Sequence, residues 1–546
     1  MSKKLIALIL GVLLSFGSMT ACAKAPASSD GQQTASSKDA GTSSAAGETY
    51  TPKYPIVDQK VTFTGASFQE NMDKTVWYQA YEKATNVSFQ WTYWSDWATQ
   101  LGVALAGDDM PDLIFDLYNE GLDKASVLKY GQQGMFVDYK KYIKYMPDLT
   151  TLMDANPESY ACVENDDGSM YALPCFTETP TAFTGPLYYR TDMFKEAGVS
   201  VPKTTDELLQ TVKTLQQYFG KDNNKFIAFQ PYSSTHLTQN LLYYLFPSFG
   251  DDVDIEFGSK DGKTVTYNYI SDQYRHMMEY VNQLYVSGGF DKNIFSEDGT
   301  NAKAVILGNN TAITTLGTIY TKDNFKSGNY DVSVFDPLTS QYTSKQKYAK
   351  GYASRMGMFE ISSKCKDIDT MVKWVNALYA DVDHPIAQGV SSISMWLGIK
   401  GTTWDFDDSS KQTYTIKVPS DYSGDALSYL TEYGLSNAAN CVFMSMNSSS
   451  LGLLCKGNGT KDHLLPYAVQ IFPKDFLSFT EDESSKLAEA YTDIQEYISK
   501  SLASFVTQGV NDSSWNAYVD TVKKMGIDDI VKIYQDAFDR YNSKVK

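Results

Sequence analysis

The stretch from Leu187 to Gly220, LYYRTDMFKEAGVSVPKTTDELLQTVKTLQQYFG, constrains the fold most, because every local signal in it agrees. Thr204 followed three places later by Glu207 makes a capping box, in which hydroxyl and carboxylate satisfy two backbone N–H groups left over by the first helical turn. Leu208, Val212, Leu215 and Phe219 then fall on one face of a 3.6-residue period, and Gly220 is placed to stop the helix in a left-handed conformation. Upstream, Asp192 to Ala197 has room for about two turns before Gly198 ends them. Pro202 keeps the two helices apart. The prediction is a strand, a short helix, a tight corner and a long amphipathic helix.

Neighbouring segments repeat the alternation of strand and helix. Lys60 to Gly65 reads as a strand, and Asp73 to Thr85 as a helix with Val76, Trp77, Ala80, Tyr81 and Ala84 on one face. Val87, Phe89, Trp91 and Tyr93 alternate with polar residues at the period of a strand, Ser95 is placed to cap a helix running to Gly107, and Leu113 to Phe115 make a third strand. Strands separated by helices imply a mainly parallel sheet. Further on, Phe226 to Phe229 reads as a strand, and Leu237 to Phe246, Tyr274 to Val286, Asp369 to Asp381, Lys486 to Leu502 and Ile527 to Tyr541 as helices, with Trp374 a core residue.

The first residues are of another kind. Lys3 and Lys4 precede an apolar run from Leu5 to Leu14, and small or polar residues lead to Cys22. That is the layout of a secretory signal peptide, with an apolar part too short to span a membrane. Met19-Thr20-Ala21-Cys22 resembles a bacterial lipobox with Met in place of Leu, which implies removal of residues 1–21 and lipid attachment at Cys22. Residues 22–53 follow as Ala, Ser, Gly, Thr and Gln without apolar periodicity, a composition that cannot bury enough to fold. As a tether they reach roughly 30 Å. About 490 residues remain beyond it, more than one core usually supports, so two lobes are expected. A formal net charge of −18 argues against nucleic acid as a partner. The 39 tyrosines suit sugar rings, which are apolar on their C–H faces and polar at their edges.

Several fragments carry a more specific likeness. Tyr81-Glu82-Lys83-Ala84-Thr85-Asn86-Val87, Gly107-Asp108-Asp109-Met110-Pro111-Asp112-Leu113-Ile114, Gly134 to Asp138, Met146 to Leu149, Asn156-Pro157 and Asp167 to Pro174 precede the Tyr189-Arg190 corner in that order. Together they resemble the family 1 extracellular solute-binding proteins, in particular the long oligosaccharide-binding lipoproteins of bacterial ABC sugar importers. Trp396 to Trp404 resembles a later motif of the long members, with Lys400 where they usually carry Glu. The resemblance implies a two-lobed α/β periplasmic-binding-protein-like fold, each lobe a mainly parallel sheet flanked by helices, with a hinge near Pro180 to Leu187. Residues 54–182 and 303–355 are expected in the first lobe, and 183–302 and 356–546 in the second, because Ala302 to Leu316 is similar to the family's return crossing.

The function so implied is extracytoplasmic capture of a sugar, an oligosaccharide by preference, by a lipid-anchored monomer that delivers it to ABC transporter permease subunits. A surface glycoside-active enzyme and a tethered sensor that does not transport are the alternatives. Ligands of open α/β sheets lie at the carboxyl ends of strands. The loops there hold Gln69, Glu70, Trp94, Asp116, Tyr118, Glu178, Tyr232 and Trp396, the aromatics to stack and the others to fix hydroxyls. No nucleotide, hydrolase or zinc motif is present, the four histidines are dispersed, and no catalytic residue or cofactor is expected. Cys162 with Cys175 and Cys441 with Cys455 flank turns and are possible disulfides in an exported protein, or equally thiols. Some long relatives carry a calcium loop after the helix corresponding to Asp206 to Phe219. Here Gly220 to Phe226 offers one carboxylate, so no structural metal is expected.

Overall fold

The computed structural model describes residues 50–107, 109–115, 122, 124–176, 186–317, 319–320, 331–352, 354–411, 413–422, 426, 429–430, 445–446 and 459–544. The expected signal peptide, Cys22, the tether up to residue 49 and most of the expected hinge lie outside them.

Two large hydrophobic cores organise the described chain. The first is built on β1 (Val61–Ser67), β2 (Val87–Tyr93) and β3 (Leu113–Phe115). β1 is the central strand of the three and pairs in parallel with both neighbours, as the alternation of strand and helix requires. Phe89 and Trp91 stack at 4.7 Å on one face of the sheet, where Tyr78, Phe115 and Trp374 meet them. Gly65 pairs with Trp91, and a Cβ on Gly65 would sit 2.4 Å from that indole, so the position accepts glycine alone without a shift of the ring. The helix before β2, Val76–Thr85, stops at Asn86 in the left-handed conformation, the role its place in the motif implied. Asp96 instead of Ser95 receives a first-turn N–H of the next helix, from Thr99 at 3.3 Å. Trp374 is fully buried, as expected. β4 (Leu173–Phe176) completes this part of the chain.

The second core follows from Leu187. β5 (Tyr188–Arg190), β6 (Phe229–Gln230), β9 (Ile313–Thr314) and β10 (Val332–Val334) form a mixed sheet in the order β10-β5-β9-β6; β7 (Phe257–Gly258) and β8 (Thr266–Tyr267) pair separately between β6 and β9. The helix Thr205–Gly220 has both halves of its capping box, and Gly198 ends the short helix before it at φ 67°. Gly220 does not provide the left-handed stop: it is the last helical residue, Lys221 continues at φ −57°, and the chain turns away through Asn223, whose amide bonds Asn310 at 2.7 Å. The expected helix over Leu237 to Phe246 is a π-helical turn, Leu237–Leu241, between two short α-helical pieces. Three C-terminal helices, Glu481–Gln508, Asp512–Lys524 and Ile527–Lys544, close this core, the first packing on the helix Asp272–Val286.

Charges are built into the second lobe. Glu256 accepts from Lys474, from the Tyr491 hydroxyl at 2.5 Å and from Gln495 at 3.3 Å. Burial opposes ionisation at Glu256, yet Lys474 beside it holds the carboxyl below its ordinary range. Asp254, two residues away, accepts the Glu256 N–H through Oδ1, while Oδ2 has no partner among the described residues. Burial pushes the Asp254 carboxyl up to about 7 against the pull of Lys474.

The lobe boundaries expected from sequence need correction. Ala312 and Ile313 do not lead back to the first lobe, because β9 is an inner strand of the second sheet, between β5 and β6. Residues through β11 (Tyr348–Lys350) stay with the second core. The return comes at β12 (Ser354–Met358), which pairs antiparallel with β4, and β13 (Glu360–Ile361), which pairs antiparallel with β3. Phe359, Ile361 and Met371 to Met395 then fill the first core, and β14 (Trp404–Phe406), β15 (Thr413–Ile416) and β16 (Ser445–Met446) form a small sheet with a core of its own that Trp396 joins to the first. β17 (Ala468–Gln470) pairs with β11, returning the chain to the second lobe. A strand of two residues such as β9 carries no sequence mark of which sheet it enters, which is why the crossing was misplaced.

Two further contacts join the lobes. Phe472 packs in the second core and Phe476, four residues on, in the first. At the end of the last helix Tyr541 touches both cores, and Lys544 binds Asp166 of the first lobe at 2.5 Å. Cys162 and Cys175 are buried thiols in the first core, and burial pushes the Cys162 thiol well up.

Candidate functional site

Strand register decides which side chains can share a site. Ser67 pairs with both Tyr93 and Phe115, so the carboxyl ends of β1, β2 and β3 are level and their following loops leave from one edge. At the other end of β3, Asp112 fixes the strand to β1 by accepting the N–H and hydroxyl of Thr64 at 2.8 and 2.9 Å. Gln69 and Glu70 follow β1 at the carboxyl edge. The Gln69 N–H donates to Ser67 Oγ at 2.9 Å and its amide donates to the Glu70 carbonyl at 3.2 Å, while the Glu70 side chain is exposed.

Trp94 leaves from the same edge, with its N–H on the Ser67 carbonyl at 2.9 Å. Its ring does not stand open for stacking. Alternation turns Trp94 to the opposite face from Trp91, where it packs edge-on to Trp97 at 4.9 Å among Ala66, Leu101 and Ile114 and is 8% exposed. The ring presented at this edge is Tyr93, 44% exposed, which sequence reasoning used as a strand residue and overlooked as a site residue. The same alternation was its signal: Tyr93 continues the row of Phe89 and Trp91 one step past the core. Asp116, Tyr118 and Glu178 lie outside the described residues.

The second sheet has a matching edge. Gln230 pairs in parallel with Thr314, so the segments after β6 and β9 leave together. Tyr232 follows β6, its N–H donating to Thr315 Oγ1 at 3.0 Å and its half-buried ring edge-on to His236 at 5.0 Å. The ring lies across Gly299, whose φ is 98° and where a Cβ would fall 2.6 Å from Tyr232 Cζ. Burial holds the His236 imidazole below its ordinary pKa. Sequence reasoning did not single out His236; its place four residues after Tyr232, on the same side of one turn, was the available sign.

Trp396 stands apart from both edges. It is half-buried between the first core and the 404–416 sheet, edge-on to Tyr414 at 6.1 Å, on a helix that meets Val76–Thr85. Lys400 lies 3.8 Å from Asp405 in the same region. Among the described residues no group of three or more His, Cys, Asp or Glu could hold a metal ion. Where long relatives place a calcium loop, Asn223 Oδ1 accepts the Lys225 N–H at 3.1 Å and the turn is tied by amides.

A family model for bacterial extracellular solute-binding proteins matches residues 77–378, more than half of the chain. The chain belongs to that family. A curated relative, the fructooligosaccharide ABC transporter substrate-binding protein FusA of Streptococcus pneumoniae, is 25% identical over 499 residues, covering 85% of this chain and 87% of its own. The crystallised FusA complex with kestose superposes with a TM-score of 0.65 at 23% identity, over 89% of this chain and 100% of that one. A Bifidobacterium longum solute-binding protein described as HMO binding gives 0.67 at 18% identity, over 89% and 99%. These likenesses show the two-lobed α/β fold for this solute-binding protein, and its family is extracytoplasmic. No helix among the described residues is long and apolar enough to cross a membrane.

Proposed function

We propose that this solute-binding protein captures a neutral oligosaccharide between its two lobes and hands it to the permease of an ABC importer. The observation that carries the reading is that each sheet presents a partly exposed aromatic ring with a polar tip at its carboxyl edge, Tyr93 in the first lobe and Tyr232 in the second. Such rings stack on the C–H face of a sugar and leave its hydroxyls to Gln69, Glu70 and, in the loops beyond the description, Asp116, Tyr118 and Glu178. The relatives named for fructooligosaccharide and for HMO binding support a chain of sugars over a single one. Closure of the lobes is driven by contacts that exist only with ligand between them. The protein works as a monomer without catalytic residues, held at the membrane by lipid on Cys22 and the tether that follows.

Intrinsic fluorescence and thermal shift against a panel of di- to hexasaccharides test the reading, with reducing-end release measured on every hit. Saturable binding of an oligosaccharide without release is expected. Release of reducing ends would turn the assignment to an enzyme, and a panel without hits would remove sugar capture. Incorporation of labelled palmitate that is lost in Cys22→Ala tests the anchor.

A further inference from the structure

The residues around Tyr232 are more highly organised than a loop beside a sheet needs to be. Tyr232 and His236 meet edge to face, with ring centroids 5.0 Å apart and planes at 78°. The corner is held from three sides. Tyr232 is tied through its N–H to Thr315, and its ring fills the space that a side chain at Gly299 would take. The segment carrying Gly299 is fixed to the His236 turn by the Ser234 N–H on the Glu297 carbonyl at 3.1 Å. The buried Glu297 carboxylate in turn accepts the N–H groups of Gly299 and Asn301 at 2.9 and 3.2 Å.

Hydrogen bonding at the imidazole is asymmetric. Ser233 Oγ accepts the His236 backbone N–H at 3.2 Å and lies 3.0 Å from Nδ1. A hydroxyl has one proton and two lone pairs, so Ser233 can give its proton to Nδ1 while accepting the backbone N–H, and in that arrangement the ring proton sits on Nε2. Nε2 has no partner among the described residues, and neither does the Tyr232 hydroxyl. Two perpendicular rings therefore present two unused polar tips at the carboxyl edge of the second sheet.

We propose that His236 is a ligand-contacting residue of the second lobe, forming with Tyr232 an aromatic corner that takes one sugar unit, with Nε2–H donating to a hydroxyl of that unit. This rests on the reading of the protein as an oligosaccharide-capture protein. Tyr232 supplies an apolar face and His236 a fixed donor, so the corner selects the direction of a hydroxyl as well as the presence of a ring. A corner held in this way is ordered before ligand arrives, and little conformational freedom is lost on binding.

The test uses the full chain in detergent, titrated calorimetrically with the tightest binder from a panel of di- to hexasaccharides of glucose, fructose, galactose and mannose. His236→Ala is expected to weaken binding about tenfold, the scale of one hydrogen bond and its packing. His236→Gln, which keeps a donor at similar reach, is expected to stay within about threefold of the parent. His384→Ala, at an exposed site beside Asp381, should change nothing. Histidine-selective 15N labelling gives a second readout, since the chain has four histidines. One Nε2 resonance should move on adding sugar, and that resonance should be missing from His236→Gln. If the parent binds and His236→Ala binds equally well, the contact is overturned while sugar capture stands. If the Ala and Gln variants are equally weak and no Nε2 resonance moves, His236 serves only to pack Tyr232 and the proposal is again overturned. If no sugar binds the parent, sugar capture and the contact fall together.

Discussion

The two lobes are stabilised in different ways. The first has a sheet with parallel strands of up to seven residues and an aromatic centre, where Trp77 and Trp374 are fully buried and their indole N–H groups have no partner among the described residues. The second has strands of two or three residues and, near its centre, a buried ionic group in which Lys474 and Tyr491 converge on Glu256 from more than 200 residues away in sequence. The first lobe packs aromatic rings at its centre, whereas the second sets a buried ionic group among its apolar side chains. A buried pair costs desolvation when it forms, but breaking it leaves a lone charge with no water to take it.

The comparison breaks most sharply at Glu256. Replacing Glu256 by Ala takes a carboxylate from Lys474 and an acceptor from Tyr491 and should cost about 3 kcal/mol, the lower end for breaking a buried pair because the Lys474 side chain is partly exposed. Hydrogen exchange should show the loss over residues 243–286 and 481–508, with little change in β1 and β2. Spread of the loss equally over both lobes would mean that they unfold as one. Trp374→Ala should do the reverse, costing about 3 to 5 kcal/mol in the first lobe through a cavity beside Phe89 and Phe115. Chemical denaturation with tryptophan fluorescence measures it. Gly65→Ala adds a methyl group where Trp91 already lies and should cost about 1 to 3 kcal/mol. Thr204→Ala removes half of a capping box and should cost about 1 kcal/mol, measured as a shift of the urea midpoint.

The smallest effect concerns pH. The Asp254 carboxyl is raised to about 7 by burial, whereas the unfolded chain ionises it near the ordinary aspartate value of 3.8. Between those values the unfolded state has lost a proton that the folded state keeps, so this group lowers stability as pH rises from about 4 to 7, and the whole penalty is present above that. Asp254→Asn should therefore raise the melting temperature more at pH 8 than at pH 5, by about 1 to 2 °C. An equal shift at both values would show that Asp254 does not titrate in this window.

What the sequence made legible follows the same division. In the first lobe the period-2 row of Val87, Phe89, Trp91 and Tyr93 and the one-sided helix before it gave the elements and the parallel sheet. In the second lobe the Thr204 capping box and Gly198 were readable for the same reason: each is decided within a few residues. The return crossing was misplaced because β9 and β13 are two residues long, and their partners lie far away in sequence, β6 and β5 for β9 and β3 for β13. Gln69 and Glu70 follow β1 and Tyr232 follows β6, the strand ends that the alternation of strand and helix made legible. The choice of Trp94 over Tyr93 failed because aromaticity was weighed without asking which face each ring takes. The ionic group around Glu256 left no local trace at all.

The late return of the chain bears on the order in which the protein is made. β13 lies beside β3, yet Glu360 follows Ile114 by 246 residues, and the helices closing the second core begin only at Glu481. A chain emerging from its N-terminus therefore cannot complete its first lobe until it has produced every strand of the second sheet, and the second core must wait for the last helices. Until then the aromatic face of β2 lacks Trp374, and Lys474, made later still, is not yet there to meet Glu256. Neither half is competent to close early, which suits a polypeptide that has to reach the far side of a membrane before it folds. Joined at its last turn to Asp166, the finished molecule interleaves its beginning with its end.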